Sequence, residues 1–286
     1  MKVEPIIKIE NTILGEGPVW DYRTDELIWV DIPNGLIHTC NVENMTCITD
    51  NIGQMVGAAI PCDNGHLLLA LQHGFAFFNR ATKELHHIVD PESDLPHNRF
   101  NDGKCDPAGR LWAGTMSIDP PRDAVGSLYR LDNDLKVTRI LSDIKVSNGL
   151  AWTMAANKMF YIDTRQNKMM SFDYDNESGD IENQQDFLVF DKELPDGMTI
   201  DENDNLWVCF YLGGKVVCYD STTAKELQAI EIPTYCTTSC TFGGENLDTL
   251  YITTGAYEKS DIGGTLFAVK PGVKGLKANF FKTNQA

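Results

Sequence analysis

The sequence has little positive charge and no long apolar run, and each shortage excludes a class of protein. Its 286 residues carry 24 lysines and arginines against 41 aspartates and glutamates, a formal net charge of −17. Because affinity for nucleic acid comes largely from lysine and arginine, we expect no nucleic-acid partner. No run approaches the ~20 apolar residues that span a bilayer, and an acidic protein is repelled by anionic lipid, so we expect no membrane partner.

Signatures of several common catalytic and metal sites are also missing. There is no GxSxG motif that would expose a serine nucleophile, and no histidine lies in a pattern that would pair with Ser147. None of the eight cysteines forms a CxxC pair, and all lie in strand-like segments, so we expect buried, reduced thiols. The first ten residues lack the pattern of a signal peptide. Together these features predict a cytoplasmic protein.

An apolar, aromatic-rich strand recurs six times along the chain. Its starts lie 40 to 48 residues apart, which matches the ~40–50 residues of a four-stranded propeller blade. The six copies are LIWVDI from Leu27, LLLAL from Leu67, LWAGTM from Leu111, MFYIDT from Met159, LWVCFY from Leu206 and LYITTG from Leu250. An earlier strand, a turn and one or two later strands accompany each copy. The sequence therefore predicts an all-β, six-bladed propeller with four-stranded antiparallel blades.

Other all-β architectures fit this spacing less well. A sandwich or barrel would show many short strands without a six-fold period of this length, and a solenoid would need shorter repeats. We expect one propeller domain over residues 1–286, as a monomer or weak dimer. Two segments could supply the outer strand of the last blade, residues 3–9 or residues 276–281.

Oxygen-bearing side chains recur at one position of the first strand in each blade, directly before a repeated glycine. The residues at this position in the first five units are Glu16, Val56, Asp102, Asn148 and Asp196. The sixth unit, TTSCT, has no matching glycine. Since the first strands of a propeller line its central channel, four of six blades should direct an oxygen ligand at one place on the axis. Asn101 is adjacent to this position.

This oxygen cluster favours a metal site over a set of ordinary turns. Aspartate and asparagine before glycine are common in turns, but here they recur in register, and Glu16 is not a usual turn residue. Several carboxylates gathered without a cation would raise one another's pKa. Oxygen ligands suit a hard ion. The residues alone leave calcium, magnesium and manganese open.

Five segments carry a resemblance to a known family. They are GEGPVW from Gly15, NRFNDGKCDPAGRLWAGTM from Asn98, SNGLAW from Ser147, PDGMTIDENDNLWV from Pro195 and FGGENLDTLYIT from Phe242. In order and spacing they resemble the SMP-30/gluconolactonase/LRE-like family, which includes regucalcin, bacterial gluconolactonases and luciferin-regenerating enzyme. The resemblance covers nearly the whole chain.

The resemblance implies a lactonase with one divalent metal. We expect calcium first, with magnesium, manganese or zinc as alternatives. By analogy, the metal ligands are Glu16, Asn148 and Asp196, and the substrate-binding residues are Arg99, Asn101 and Asp119. Asp102 would support the site without ligating the metal. The loop at residues 120–123 would lie over the channel mouth and help to select the substrate.

We therefore expect metal-dependent hydrolysis of a sugar lactone, such as an aldonolactone, to the corresponding acid. Asp196 is the candidate general base, and the metal would polarise the lactone carbonyl. The main alternative is a calcium-binding regulatory protein of the regucalcin type that binds metal without turnover. Arg99 and Asn101 favour the enzyme, because a calcium buffer has no need of an arginine that binds hydroxyl groups.

Overall fold

The protein is a six-bladed β-propeller, as the repeat predicts. The computed structural model describes residues 1–121, 123–256 and 262–283, and these residues form six four-stranded antiparallel sheets. In the described part of the chain, the one helical element is a short 3-10 helix, Thr164–Gln166. No helix among the described residues has the length and apolar character needed to cross a membrane.

Each of the first three blades uses four consecutive strands, beginning at the second strand of the chain. Blade 1 contains β2 (Gly15–Asp21), β3 (Glu26–Asp31), β4 (Leu36–Asn41) and β5 (Thr46–Asn51). Blade 2 contains β6 (Val56–Pro61), β7 (Leu67–Leu71), β8 (Gly74–Phe78) and β9 (Leu85–Val89). Blade 3 contains β10 (Asn98–Cys105), β11 (Leu111–Ser117), β12 (Gly126–Leu131) and β13 (Val137–Ile144).

The other three blades follow the same order, except that the last borrows a strand from the start of the chain. Blade 4 contains β14 (Ser147–Trp152), β15 (Lys158–Asp163), β16 (Lys168–Tyr174) and β17 (Ile181–Val189). Blade 5 contains β18 (Leu194–Ile200), β19 (Leu206–Tyr211), β20 (Lys215–Tyr219) and β21 (Glu226–Glu231). Blade 6 contains β22 (Cys236–Gly243), β23 (Thr249–Gly255), β24 (Thr265–Val269) and β1 (Glu4–Lys8).

The ring is closed by the N-terminal strand. β1 pairs antiparallel with β24 and becomes the outer strand of blade 6, so the first of the two expected closures is the one observed. The C-terminal segment instead reaches blade 2, where the amide of Phe281 donates to the carbonyl of Pro61 at 3.0 Å. The first and last parts of the chain are thereby both tied into the ring.

The six innermost strands surround a central channel. They are β2, β6, β10, β14, β18 and β22, and each contacts the next around the ring. Apolar side chains fill the space between blades. For example, Trp112 of blade 3 and Trp152 of blade 4 pack edge to face with ring centroids 5.8 Å apart. The channel therefore has rigid walls.

Every innermost strand has an irregularity in register at the repeated position. A bulge of this kind re-aims a side chain, which in blades 1, 3, 4 and 5 is the polar residue before the glycine. The glycine is required because neighbouring inner strands approach closely. A Cβ on Gly57 would lie 2.5 Å from the carbonyl oxygen of Asn101, and one on Gly149 would lie 2.8 Å from that of Asp196. The glycines thus serve close packing around the channel.

The expectation that all cysteines are reduced was wrong for two of them. Cys40 and Cys47 lie directly opposite each other on β4 and β5, with Cα atoms 4.1 Å apart, and form a disulfide. Direct cross-strand neighbours are close enough for this bond, and the sequence spacing alone did not reveal the pairing. The other six cysteines are free and buried.

Candidate active site

One end of the channel opens into a small pocket built from the bulged positions. Its volume is about 90 Å³. The polar residues that line it are Glu16, Arg99, Asn101, Asn148, Thr164, Arg165, Asp196 and Tyr211. The apolar residues that line it are Leu14, Met116, Val146 and Leu194. Five of the six residues expected from the sequence to form the site are therefore brought together.

The three candidate metal ligands are almost fully buried. Glu16, Asn148 and Asp196 are between 3% and 5% exposed. They come from the innermost strands of blades 1, 4 and 5, at the same position of the bulge. Strands fix such positions more precisely than loops do, which suits a site that must hold one geometry.

A hydrogen-bond chain fixes the orientation of the Asn148 amide. Its Nδ2 donates to Thr164 Oγ1 at 2.7 Å, and that hydroxyl donates to the carbonyl oxygen of Pro195 at 2.6 Å. Because Nδ2 donates to Thr164, the amide oxygen of Asn148 is the side-chain atom that can accept hydrogen bonds or bind a cation. Thr164 thereby links two of the candidate ligand strands.

Arg99 and Asn101 form a second chain that ends at the same amide oxygen. Arg99 Nη1 donates to Asn101 Oδ1 at 2.7 Å and to the carbonyl oxygen of Phe100 at 2.9 Å. Asn101 Nδ2 in turn donates to Asn148 Oδ1 at 3.1 Å and to the carbonyl oxygen of Ser147 at 2.7 Å. The guanidinium group is therefore held in a fixed orientation beside the candidate ligands.

The two buried carboxylates strongly resist ionisation in the absence of a cation. Burial, together with the charge of Asp102, raises the pKa of Glu16 to about 8, although the amide of Gly17 opposes the shift. Burial also raises the pKa of Asp196 well above its ordinary value, and the charge of Glu16 adds to this effect. Arg99 partly offsets both shifts. Arg99 alone therefore does not fully compensate the two buried carboxylates.

Asp102 occupies the same register position but does not line the pocket. Burial raises its pKa, while the nearby Lys104 and the amide of Gly103 lower it. Lys104 Nζ donates to the carbonyl oxygen of Met198 at 2.6 Å. The role of Asp102 in supporting the site stays a prediction.

The chemistry of the pocket fits a divalent cation. Within the described ranges there is no group of three or more histidines, cysteines, aspartates and glutamates that could hold a metal. The set here is of a different kind, because it has two carboxylates and one amide oxygen. Oxygen ligands of this type suit hard ions such as calcium and magnesium. A cation at this point would favour the ionised carboxylates and so offset the rise in their pKa values that burial causes.

Comparison with known proteins identifies the family. The family model described as SMP-30/gluconolactonase/LRE-like region matches residues 14–256, which span all six innermost strands. The chain belongs to the SMP-30/gluconolactonase/LRE-like family. The resemblance seen in the five sequence segments is thereby confirmed.

Relatives within this family have related names and the same fold. YvrE of Bacillus subtilis, provisionally named a sugar lactone lactonase, is 38% identical over 268 residues, 90% of this chain and 91% of its own. Luciferin-regenerating enzyme has a TM-score of 0.93 at 34% identity, covering 98% of this chain and 99% of the other. A calcium-binding protein, regucalcin, from Agrobacterium tumefaciens has a TM-score of 0.89 at 27% identity, covering 97% and 95%. The family thus includes proteins named as lactonases and one named for calcium binding.

The sixth expected site residue, Asp119, lies outside the pocket. Its carboxylate is largely exposed and pairs with His97, at 2.9 Å from Nδ1. Its binding to substrate stays a prediction. The expected loop at residues 120–123 includes Arg122, which lies outside the described residues.

Sequence reasoning missed several residues that shape the pocket. Thr164 and Arg165 belong to the short 3-10 helix after the second strand of blade 4, and Tyr211 ends the second strand of blade 5. No motif marks these positions, because they lie at or just after the ends of second strands, and these strands differ little in sequence from the second strands of the other blades. The repeat itself, extended by a few residues past each second strand, would have pointed to this rim.

Proposed function

We propose that the protein hydrolyses a sugar lactone to the corresponding acid with the help of one divalent cation, calcium being the first candidate. The observation that carries the proposal is the buried pair of carboxylates that shares a pocket with an amide oxygen and an oriented arginine. Family membership and the name of the Bacillus subtilis relative support lactone chemistry. Glu16, Asn148 and Asp196 would hold the cation.

The cation, when bound, supplies Lewis acidity toward the lactone carbonyl. Asp196 is the proposed general base, and its carboxylate accepts the proton of the attacking water. As the ring C–O bond breaks, the same proton passes to the ring oxygen, which leaves as a hydroxyl group. Glu16 has no proton-transfer role in this scheme and acts as a ligand. Burial of both carboxylates keeps bulk water from competing for their lone pairs.

Arg99 and Asn101 would bind hydroxyl groups of the sugar. The guanidinium is held through Nη1 by Asn101 and by the backbone of Phe100, so little side-chain freedom is lost when substrate binds. A fork of N–H donors matches pairs of neighbouring oxygens, which sugars supply. This pair of residues would therefore orient the lactone with its carbonyl toward the carboxylates.

A regulatory calcium-binding protein is the second candidate function. It is favoured by the relative from Agrobacterium tumefaciens that is named as a calcium-binding protein. Both functions require the same ligands, and they differ in whether lactone is turned over.

Turnover by the wild type separates the two functions, and Asp196→Asn tests the catalytic role of Asp196. Under our proposal this variant loses lactone turnover because asparagine accepts no proton, yet it keeps some metal binding through its amide oxygen. Asp134→Asn is the matched control, since Asp134 is exposed and its carboxylate accepts from the amide of Lys136 and from no other described residue. Turnover is followed with a pH indicator and metal binding by calorimetry. Near-normal turnover in Asp196→Asn would refute the role of Asp196, and metal binding without turnover in the wild type would favour the regulatory function.

A further inference from the structure

The 3-10 helix Thr164–Gln166 is bonded tightly to the candidate active site. Asp163 caps it, because its Oδ1 accepts from the amides of Arg165 and Gln166 at 3.2 and 3.4 Å. The same oxygen accepts from the amide of Val146 at 3.1 Å, which ties the helix to the rim of blade 4. Thr164 holds the other side through Asn148. The backbone of this turn therefore has a fixed position at the pocket mouth.

Arg165 projects from this fixed turn with an uncommitted charge. The residue is exposed and lines the pocket together with the candidate ligands. Its backbone amide is bonded to Asp163, whereas no hydrogen bond or ion pair joins its guanidinium to any residue that the structure describes. Four of the other described arginines each pair with a carboxylate, for example Arg80 with Glu26 at 2.7 Å.

Among the described residues that line the pocket, no exposed carboxylate accompanies Arg165. The acids among the lining residues are Glu16 and Asp196, and both are buried at the ligand positions. Asp119 lies outside the lining and pairs with His97. The other described residues of the lining are uncharged, apart from Arg99. The mouth of the pocket is thus locally cationic in a chain whose net charge is −17.

We propose that Arg165 is a specificity residue that selects lactones carrying an anionic substituent, a carboxylate or a phosphate, away from the ring carbonyl. This inference rests on the proposed lactonase function. A planar guanidinium binds carboxylate and phosphate through two parallel hydrogen bonds, and it has no comparable partner on a neutral sugar. Repulsion between an anionic lactone and distant acidic residues is screened beyond about 8 Å at physiological ionic strength. The charge of Arg165 therefore decides whether an anionic or a neutral lactone is preferred.

The test compares one lactone ring with and without the anion. Gluconolactone, glucarolactone and gluconolactone phosphorylated at its terminal hydroxyl are assayed with the metal-loaded wild type, Arg165→Gln and Arg139→Gln. Arg139 is the matched control because it is exposed and lies on the outer strand of blade 3, away from the pocket. We expect the ratio of kcat/KM, anionic over neutral lactone, to fall about tenfold in Arg165→Gln and to stay unchanged in the control.

The outcomes distinguish this inference from the proposed function. Equal ratios in the wild type and Arg165→Gln, with lactones still opened, would overturn the inference and leave the function standing. If no lactone is opened, the function fails, and calorimetry with the phosphorylated aldonate decides the inference. Binding that weakens at least about fivefold in Arg165→Gln would support it, because a charged hydrogen bond would be lost. No binding, or equal binding, would overturn it.

Discussion

Glu92 offers the sharpest test of how the pocket is held together. It lies in the connection between blades 2 and 3, is 6% exposed, and accepts three side-chain hydrogen bonds. Asn98 Nδ2 donates to its Oε2 at 3.0 Å, while the hydroxyls of Thr115 and Tyr129 donate to its Oε1 at 2.9 and 3.0 Å. One carboxylate thus ties the loop before Arg99 to three strands of blade 3.

Truncation of this carboxylate should cost much of the stability of the protein. Hydrogen bonds to a charged group contribute about 1.5–3 kcal/mol each, but the two hydroxyls can turn to other acceptors. Thr115, for example, also lies 3.3 Å from the carbonyl oxygen of Ser127. We therefore expect Glu92→Ala to lower the free energy of unfolding by about 3–5 kcal/mol. Glu92→Gln keeps one oxygen acceptor and should cost about 1–2 kcal/mol.

Urea denaturation measures both losses directly. Glu84→Ala is the control, because Glu84 is exposed and its carboxylate accepts from the exposed hydroxyl of Thr82 and lies 3.9 Å from His86 Nε2, so we expect a change within about 0.5 kcal/mol. The slope of the free energy against urea should stay the same in all variants, which shows that the folded state is retained. A loss below about 1 kcal/mol in Glu92→Ala would refute the argument that this carboxylate anchors the loop.

Three further predictions follow from the same structure. Burial raises the pKa of Tyr129 from 10.0 to about 12, so between these pH values the folded chain keeps a proton that the unfolded chain loses. The free energy of unfolding should therefore fall as the pH rises from about 10 to about 12, and it should fall less steeply in Tyr129→Phe. Gly57→Ala should lower the free energy of unfolding by about 1–3 kcal/mol in urea, because its Cβ would meet backbone oxygens at 2.5 and 2.6 Å; an unchanged midpoint would contradict this. Calcium at about 100 times its Kd should stabilise the folded wild type by about 2.7 kcal/mol and raise its Tm. The rise in Tm should be smaller in Asp196→Asn. A wild-type Tm that does not change with calcium would count against the metal site.

The fold was predictable because the sequence pattern that specifies each blade is repeated along the chain. A strand that recurs every 40 to 48 residues specifies a blade, and six copies specify the ring. Ring closure was left open because it depends on which terminal segment pairs with β24, and both segments have apolar residues suited to that edge. The local pattern carries no information about this choice.

The candidate site was predictable where it follows the repeat and hidden where it does not. Glu16, Asn148 and Asp196 share one register position, so the period alone brings them to the same pocket. The bonds of Glu92 instead join residues 6, 23 and 37 positions away, and no repeat relates them. The position of Arg165 depends on a capped turn, which the sequence marks only weakly.

Lactone opening by the chelated protein, with each metal restored singly, tests the central claim most directly. A pH indicator follows acid release from a panel of aldonolactones with calcium, magnesium, manganese or zinc, in the wild type and in Glu16→Gln. Our account predicts metal-dependent release from at least one lactone, and its loss in Glu16→Gln. Release at the spontaneous rate with every metal, or full activity in the chelated protein, would contradict it.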